Sequence, residues 1–265
     1  MTSVTLGNTS VVLVEPQDDI NIGTVVRASR NFGLSSVRLV RPASADPERI
    51  GISAPRSEEF IEKMERFDDL NEAIGDCTLT LGLTARRRTA NWRVLEPRQA
   101  AREVVEASKK GRVALLFGRE DSGLPNEALD RCHALVTIPT NPDYSSMNLG
   151  QAVNLMLWEV FRAGSEIDTS GQGLDEVAIE SEFDAAPMAG VERMFEQAEA
   201  ALDAVEFFKS DGAEHIMRSL RSVFLRAHLD QRELAIWHGI FKEIVAYLDR
   251  HQVDKGEGDQ SATKQ

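Results

Sequence analysis

The chain has 265 residues, 42% of them hydrophobic, which is enough for one sizeable domain and a smaller one. It contains no run of about 18 apolar residues, and its start lacks a basic, apolar leader, so we expect neither a membrane span nor a signal peptide. Cys77 and Cys132 are too few for a disulfide scaffold or a zinc site, which favours two reduced core thiols in a cytoplasmic protein.

The net charge of −13 is distributed unevenly along the chain. Residues 166–265 carry 21 acidic and 10 basic residues, whereas residues 1–165 carry 22 acidic and 20 basic residues. Arginine accounts for 23 of the 30 basic residues, and its planar guanidinium grips phosphate as a fork. The acidic total therefore does not exclude a nucleic-acid partner for the first part of the chain.

Five short apolar runs, each bounded by Gly, Pro or Asn, predict strands that are buried on both faces of a parallel sheet. They are Ser10–Val14, Ser36–Val40, Cys77–Leu83, Val113–Phe117 and Leu135–Ile138. Helical patterns lie between the strands, as in Ile22–Phe32 with Gly33 as its stop, and the clearest of all is Leu149–Phe161. This alternation predicts an α/β fold, a parallel sheet flanked by helices and joined by right-handed crossovers.

The composition changes after this sheet domain, which we assign to residues 1–165. Seven acidic residues and no basic one lie between Ser165 and Ala185, which predicts a solvated linker over residues 166–190. Three helical patterns follow and predict a small helical domain over residues 191–252, with a disordered tail over residues 253–265. The three patterns are Val191–Lys209, Ala213–Ala227 and Gln231–Arg250.

Three segments with polar or glycine residues follow predicted strands, at the sheet edge where open α/β sheets bind ligands. The first runs from Asn21 to Arg27. Asn21 is placed to cap a helix whose free N–H groups suit a phosphate, and Arg27 lies on the less apolar side of that helix. From spacing alone, Arg27 is either a phosphate ligand or an ordinary surface arginine.

The second segment covers residues 117–124, where Gly118 and Gly123 allow a tight loop and a close backbone approach to a ligand. It matches neither the Walker loop nor the G-x-G-x-x-G pattern, and an ordinary turn before a helix at Pro125 is the alternative. The third segment covers residues 138–149 and contains more capping residues than one helix end needs. These are Ser145, Ser146 and Asn148.

A basic cluster, Arg86, Arg87 and Arg88, follows the third predicted strand, with Trp92 and Arg93 close by. Guanidinium groups beside an aromatic ring suit phosphate contacts and base stacking, although a solvated basic loop has the same composition. The five histidines are scattered without metal-ligand spacing, so no metal site is expected. They are His133, His215, His228, His238 and His251.

Together, the three segments in this order and spacing resemble the SPOUT superfamily of RNA methyltransferases over roughly residues 9–165. The chain looks most similar to the branch of tRNA cytidine/uridine 2′-O-methyltransferases that act at the first nucleotide of the anticodon loop, nucleotide 32. The resemblance implies a homodimer, a tRNA substrate, and a sheet domain whose C-terminal part forms a trefoil knot that binds S-adenosylmethionine. General topology rules alone argue against such a knot.

The resemblance also implies the roles of individual residues. The expected catalytic set is Asn21, Arg27, Glu120, Ser146 and Asn148. The expected adenosylmethionine-binding set, drawn from three loops, is Leu83, Thr84, Gly118, Arg119, Glu120, Ile138, Met147 and Leu149. The expected RNA-binding set is Arg27, Arg86, Arg87 and Arg88.

The chemistry expected of such a site is in-line positioning and the removal of one proton. Because an arginine keeps its charge in proteins, we interpret Arg27 as a clamp on a phosphate and on the developing alkoxide rather than as a base. Ser146 and Asn148 would orient the ribose hydroxyl. Two alternatives remain, a methyltransferase acting on ribosomal RNA and a non-catalytic RNA-binding module.

Overall fold

The computed structural model of the protein describes residues 6–85, 92–170, 184–208 and 212–258. Those residues form a parallel sheet of seven strands with helices on both faces, followed by three further helices. The strands are β1 (Thr9–Val14), β2 (Ser36–Val40), β3 (Glu65–Phe67), β4 (Cys77–Leu83), β5 (Val94–Leu95), β6 (Arg112–Phe117) and β7 (Ala134–Val136).

The helices of the sheet domain are α1 (Asp19–Asn31), α2 (Pro47–Ser53), α3 (Glu58–Glu62), α4 (Leu70–Ile74), α5 (Pro97–Ser108), α6 (Asn126–Leu129) and α7 (Leu149–Ser170). A 3-10 turn, Pro142–Tyr144, precedes α7. The last three helices are α8 (Met188–Ala204), α9 (Ala213–Ala227) and α10 (Gln231–Gly258). None of the helices within the described ranges is long and apolar enough to cross a membrane.

The strand order is β3-β2-β1-β6-β4-β7-β5, and every neighbouring pair is parallel. The predicted α/β class is confirmed, because each central strand is buried on both faces. In β1, Val11 and Leu13 face one core, whereas Val12 and Val14 face the other. Since the strands are parallel, the carboxyl ends of β1, β6, β4 and β7 lie side by side at one sheet edge.

All five predicted strands are present, with ends within two residues of the expected ones, but two short strands were missed. β3 has three residues, of which Glu65 and Arg66 are charged and exposed, and β5 has only two. Both lie at the edges of the sheet, where one side of a strand needs no partner. A strand that is charged, like β3, or only two residues long, like β5, lacks the apolar run that reveals a central strand.

Helix α1 begins earlier than predicted, and the prediction that Asn21 caps it is wrong. The cap is Asp18, whose carboxylate accepts a hydrogen bond of 2.9 Å from the N–H of Ile20. Asn21 therefore lies inside the first turn, and its side chain is directed to other partners. The predicted stop at Gly33 is confirmed, because this residue has a φ of +80° just after the C-cap.

Helix α7 runs to Ser170, nine residues beyond the apolar stripe that predicted it and into the segment expected to be a linker. Composition misled the prediction here, since acidic residues and a single Gly164 do not by themselves end a helix. The next described helix, α8, begins at Met188, inside the expected linker. The domain boundaries drawn from composition stay predictions.

The three last helices pack around a core of their own that includes Met194, Phe195 and Leu234. Arg221 lies in this unit with its guanidinium 4.4 Å from the Phe195 ring centroid and 2.7 Å from a carboxylate oxygen of Glu192. Glu192 is mostly buried, and its ion pair with Arg221 compensates for the hydration that its carboxylate loses.

Specific contacts join this helical unit to the sheet domain. Arg218 donates to Asp130 across 2.9 Å, and the N–H of Ala189 donates to the carbonyl of Gly75. The rings of His133 and His228 stack with centroids 5.2 Å apart. These contacts link α8 and α9 to the ends of α4, α6 and β7.

Both cysteines are buried free thiols, as predicted. Burial raises the pKa of Cys77 to about 12 and also raises the pKa of Cys132. Since the thiolate is the reactive form, both side chains act as small apolar core residues.

The buried His133 makes stability depend on pH. Its Nδ1 accepts a hydrogen bond of 3.1 Å from the N–H of Thr80, and burial, with the neighbouring His228, lowers the pKa of His133 to about 3. The unfolded chain takes up this proton below its ordinary pKa of about 6.5, whereas the folded chain does not. The contribution is therefore fully present above that pH and is lost as pH falls toward 3.

As pH falls from 7 to 5, we expect the protonation of His133 in the unfolded chain to lower the free energy of unfolding by about 2 kcal/mol. In His133→Asn, the amide oxygen replaces Nδ1 as acceptor but does not titrate, so stability falls at pH 7 while its pH dependence flattens. Urea unfolding at several pH values measures both effects. Exposed His215→Asn is the matched control, and equal slopes in His133→Asn and the wild type would contradict the assignment.

Candidate active site

A cavity of about 650 Å³ lies at the carboxyl ends of β4, β6 and β7. Its size suits a ligand of the dimensions of a nucleoside cofactor. Its wall combines apolar side chains at the strand ends with the loop after β6 and the loop that leads to α7. All eight residues of the expected adenosylmethionine-binding set line it, namely Leu83, Thr84, Gly118, Arg119, Glu120, Ile138, Met147 and Leu149.

The loop after β6 turns back on itself, and this requires its two glycines. A Cβ on Gly118 would overlap the backbone of Gly123 and Leu124, and Gly123 has a φ of +69° that other residues rarely adopt. The N–H of Gly123 donates to the carbonyl of Arg119 across 2.9 Å and closes the turn. The backbone of residues 118–124 is thereby held against the cavity.

Charged side chains brace this loop from the side of β1 and β2. Arg41 donates from Nε and Nη2 to Oε1 of Glu15 at 3.2 and 3.1 Å, and Oε2 of Glu15 lies 3.8 Å from Arg119. Arg119 also forms a fork with Asp121 at 3.0 and 2.9 Å. The hydrogen bonds from Arg119 and Ser122 hold the pKa of Asp121 well below its usual range, so this carboxylate stays ionised.

Sequence reasoning missed this brace, although a signal for it exists. The strand ends Leu13-Val14-Glu15-Pro16 and Leu39-Val40-Arg41-Pro42 repeat one pattern with opposite charges. Because β1 and β2 are parallel neighbours in register, the repeat places Glu15 beside Arg41. Both residues have a positive φ, +54° and +45°, which turns the chain away from the strand direction.

A chain of hydrogen bonds connects the three predicted segments. Glu120 accepts at Oε2 from the backbone N–H of Gln17 at 3.0 Å and at Oε1 from the Asn21 amide at 3.1 Å. The oxygen of that Asn21 amide accepts from the Asn148 amide at 3.2 Å. We name this chain the Glu120–Asn21–Asn148 network.

Asn148 performs two tasks in this network. Its oxygen accepts from the N–H of Gly150 at 2.9 Å and so caps α7, while its NH₂ group donates to Asn21. The capping alternative for Asn148 is therefore confirmed, and its role in the reaction stays a prediction. Through this residue, the orientation of α7 and the position of Glu120 depend on each other.

The two remaining catalytic candidates lie apart from the network. Ser146 is exposed and lines the cavity, and its hydroxyl makes no hydrogen bond within the described part of the chain. Arg27 is exposed on α1, about 9 Å further along the helix axis than Asn21, and does not line the cavity. Within the same described ranges its guanidinium has no ion pair, so it is available to a substrate.

The basic cluster divides into two parts. Arg86, Arg87 and Arg88 lie outside the described residues. Trp92 packs against the apolar core on one sheet face, and Arg93 forms a fork with Glu103, with one bond of 2.9 Å. Trp92 and Arg93 thus have structural partners, and the composition that suggested RNA stacking here has a local explanation.

The cavity also fits adenosylmethionine by its chemistry. Leu83, Phe117 and Val136 give apolar walls for an adenine ring, and the turn at Gly118 presents backbone groups rather than side chains. Of the charged lining residues, Asp121 is paired with Arg119, so Glu120 leaves one net negative charge at the cavity, which suits a cationic sulfonium and an ammonium group. The binding of adenosylmethionine by these residues stays a prediction.

Comparison with known proteins shows the family to which the chain belongs. Residues 8–158 match the SpoU rRNA Methylase family, and residues 189–255 match the C-terminal domain of the tRNA methyltransferase TrmJ. The tRNA (cytidine/uridine-2′-O-)-methyltransferase TrmJ of Photorhabdus laumondii is 36% identical over 242 residues, which are 90% of this chain and 97% of that protein.

The enzyme of the same name from Escherichia coli strain K12 is 36% identical over 241 residues, covering 90% of this chain and 96% of its own length. The crystal structure of TrmJ from Z. mobilis superposes with a TM-score of 0.76 at 30% identity, covering 89% of this chain and 98% of that one. The chain therefore belongs to the SpoU methylase family, as a methyltransferase whose methylase region is followed by a region that matches the C-terminal domain of TrmJ.

Proposed function

We propose that this methyltransferase moves a methyl group from S-adenosylmethionine to the ribose 2′-hydroxyl of a pyrimidine in tRNA, at nucleotide 32 of the anticodon loop. The observation that carries the proposal is the convergence of the three segments on one cavity, tied together by the Glu120–Asn21–Asn148 network. The names of the relatives support tRNA as the substrate, and the match to the TrmJ C-terminal domain favours it over ribosomal RNA.

Adenosylmethionine, when bound, supplies a methyl group on a positively charged sulfur that is already a good leaving group. The protein then has to align the ribose oxygen with this methyl group and assist the loss of one proton. Ser146 presents its hydroxyl at the cavity, where it would orient the ribose. Arg27 would hold a phosphate of the RNA and stabilise charge on the ribose oxygen. Asn21, Glu120 and Asn148 act as positioning residues, because their polar groups are engaged with each other.

We also propose that the protein is a homodimer that associates through α1 and α7. Phe32, Trp158 and Phe161 form an aromatic cluster on these helices, with centroids 5.9 to 6.5 Å apart. Trp158 is 50% exposed, and burial of this ring by a second copy is favourable. The same association would bring the Arg27 surface of α1 close to the subunit interface.

The trefoil knot is likewise a proposal. It is supported by the sheet order, in which β4 lies between β6 and β7 although it precedes both in the chain. The loop from β7 to α7 then returns along the cavity.

Methyl transfer from labelled adenosylmethionine to tRNA and to ribosomal RNA tests the function. We expect label in tRNA alone, and nuclease mapping should place it at one ribose, that of nucleotide 32. Label in ribosomal RNA alone would refute the tRNA assignment. Binding of RNA without any transfer of label would favour the alternative of a non-catalytic RNA-binding module.

Replacement of Arg27 should affect the RNA side of the reaction. We expect Arg27→Ala to lower kcat/KM for tRNA by about 10²- to 10³-fold, since one stabilising donor is lost. Arg27→Lys should recover only part of this, because an ammonium group lacks the planar fork. The affinity for adenosylmethionine, measured by calorimetry, should stay unchanged in both variants.

Arg98→Ala, which removes an exposed arginine from α5, is the matched control and should behave as the wild type. Nearly full activity of Arg27→Lys would show that fork geometry is not required.

The network predicts that its members act as a unit. In Glu120→Gln only one carboxamide oxygen remains to accept, so either Gln17 or Asn21 loses its partner. We expect kcat to fall about tenfold in Glu120→Gln and in Asn148→Ala, and the double variant to lose much less than the product of the two. Steady-state kinetics of the four proteins measures this coupling.

Glu106→Gln on the surface of α5 serves as the control for loss of a carboxylate. Effects that multiply in the double variant would mean that Glu120 and Asn148 act independently.

A further inference from the structure

An exposed aromatic residue, Tyr144, directly precedes two residues that line the cavity. Tyr144 leaves 80% of its surface exposed, more than Trp158 at 50% or Tyr247 at 53%. The next two residues, Ser145 and Ser146, line the cavity, so the ring lies within about 10 Å of the lining by covalent geometry. A ring this exposed buries little apolar surface, so it contributes little to the stability of the fold.

The backbone that carries this ring is held in place. The N–H of Tyr144 donates to the carbonyl of Asn141 at 3.0 Å, and the Asn141 side chain accepts from the N–H of Asp143 at 3.1 Å. The Thr140 hydroxyl donates to the carbonyl of Ser145 at 3.3 Å, and Pro142 restricts the turn between them. The ring is therefore displayed on an ordered 3-10 turn, which lowers the entropy lost when it binds a partner.

The surroundings of the ring indicate what it binds. Residues 141–146 are exposed, and apart from Tyr144 they are Asn, Pro, Asp and Ser. A protein partner needs a contiguous apolar patch, whereas a single ring within a polar rim is the arrangement that stacks on one unpaired base. In the proposed function the reacting ribose enters beside Ser146, which would bring a neighbouring base of the same strand within reach of Tyr144.

We propose that the Tyr144 ring stacks on an unpaired base of the RNA substrate and so positions the strand whose ribose enters the cavity. This role rests on the proposed function, because it assumes an RNA loop at the cavity. Stacking needs no positive charge on the protein. It therefore adds affinity for RNA even though the net charge of the chain is negative. Tyr144 is in this sense a positioning residue for substrate, separate from the network that holds the loops.

The test compares Tyr144→Leu with Tyr144→Phe in the full-length protein. The probe is a labelled anticodon stem-loop RNA, whose dissociation constant is measured without turnover, alongside kcat and KM for tRNA. We expect Tyr144→Leu to weaken RNA binding and raise KM by about 5- to 100-fold, the range for loss of one stacked base. Tyr144→Phe keeps the ring and should recover most of the affinity.

Salt dependence separates stacking from charge. Stacking releases no counterions, so the factor lost in Tyr144→Leu should be the same at low and high salt, whereas the factor lost in Arg27→Ala should shrink as salt rises. Tyr247→Leu, on α10, is the matched control for removal of an exposed ring. An unchanged dissociation constant for adenosylmethionine in Tyr144→Leu excludes collapse of the loop as the cause.

Two results would overturn the stacking role, namely wild-type RNA binding by Tyr144→Leu, or binding by Tyr144→Phe as weak as that of Tyr144→Leu. A wild type that methylates tRNA while Tyr144→Leu is unaffected would refute the stacking alone. A wild type that methylates no RNA would refute the proposed function, and the binding measurement would still decide whether Tyr144 contacts RNA.

Discussion

The parallel alignment of the four central strands is the constraint on which the site depends. Because β1, β6, β4 and β7 are neighbours and run in one direction, the loops that leave their carboxyl ends start at the same sheet edge. Each strand is buried on both faces, so a one-residue shift in register would exchange the side chains of the two cores and disrupt the packing of both. The rigid sheet thus fixes the starting points of the segments that line the cavity.

The Glu120–Asn21–Asn148 network fixes the positions of the three segments relative to one another at this shared edge. Glu120 lies 99 residues from Asn21 along the chain, and Asn148 lies 127 residues from it, yet the three side chains are joined directly. The brace of Glu15, Arg41 and Arg119 holds the same loop through a separate set of charged contacts. Arg27 and Tyr144 stand outside both arrangements, exposed and available to the substrate.

The uneven charge of the chain separates an acidic C-terminal region from the region that carries the candidate RNA-contacting residues. The acidic excess lies after residue 165, where the described helices pack around their own core and contact the sheet domain through Arg218 and Asp130. The candidate RNA-contacting groups Arg27 and Tyr144 lie before that point. An RNA would therefore meet the nearly balanced part of the chain, and contacts that do not depend on net charge gain importance there.

The sequence by itself determined the α/β class, the central strands, the long helices and the residue types of the site. Apolar runs that are buried on both faces leave a direct trace in the sequence, and the three polar segments carried a recognisable resemblance. It did not determine the short strands β3 and β5, the end of α7 or the cap of α1, because these depend on edge position and on competition between neighbouring side chains.

Only the tertiary structure decided which side chains meet. Asn21 looked like a helix cap, but Asp18 takes that place and leaves Asn21 to join Glu120 and Asn148. Trp92 and Arg93 have the composition of an RNA surface, and the fold gives them partners of their own, the apolar core and Glu103. A local pattern states what a side chain is able to bind, whereas the fold sets the partner it does bind, whether ten residues away, as for Arg93, or about a hundred, as for Asn21.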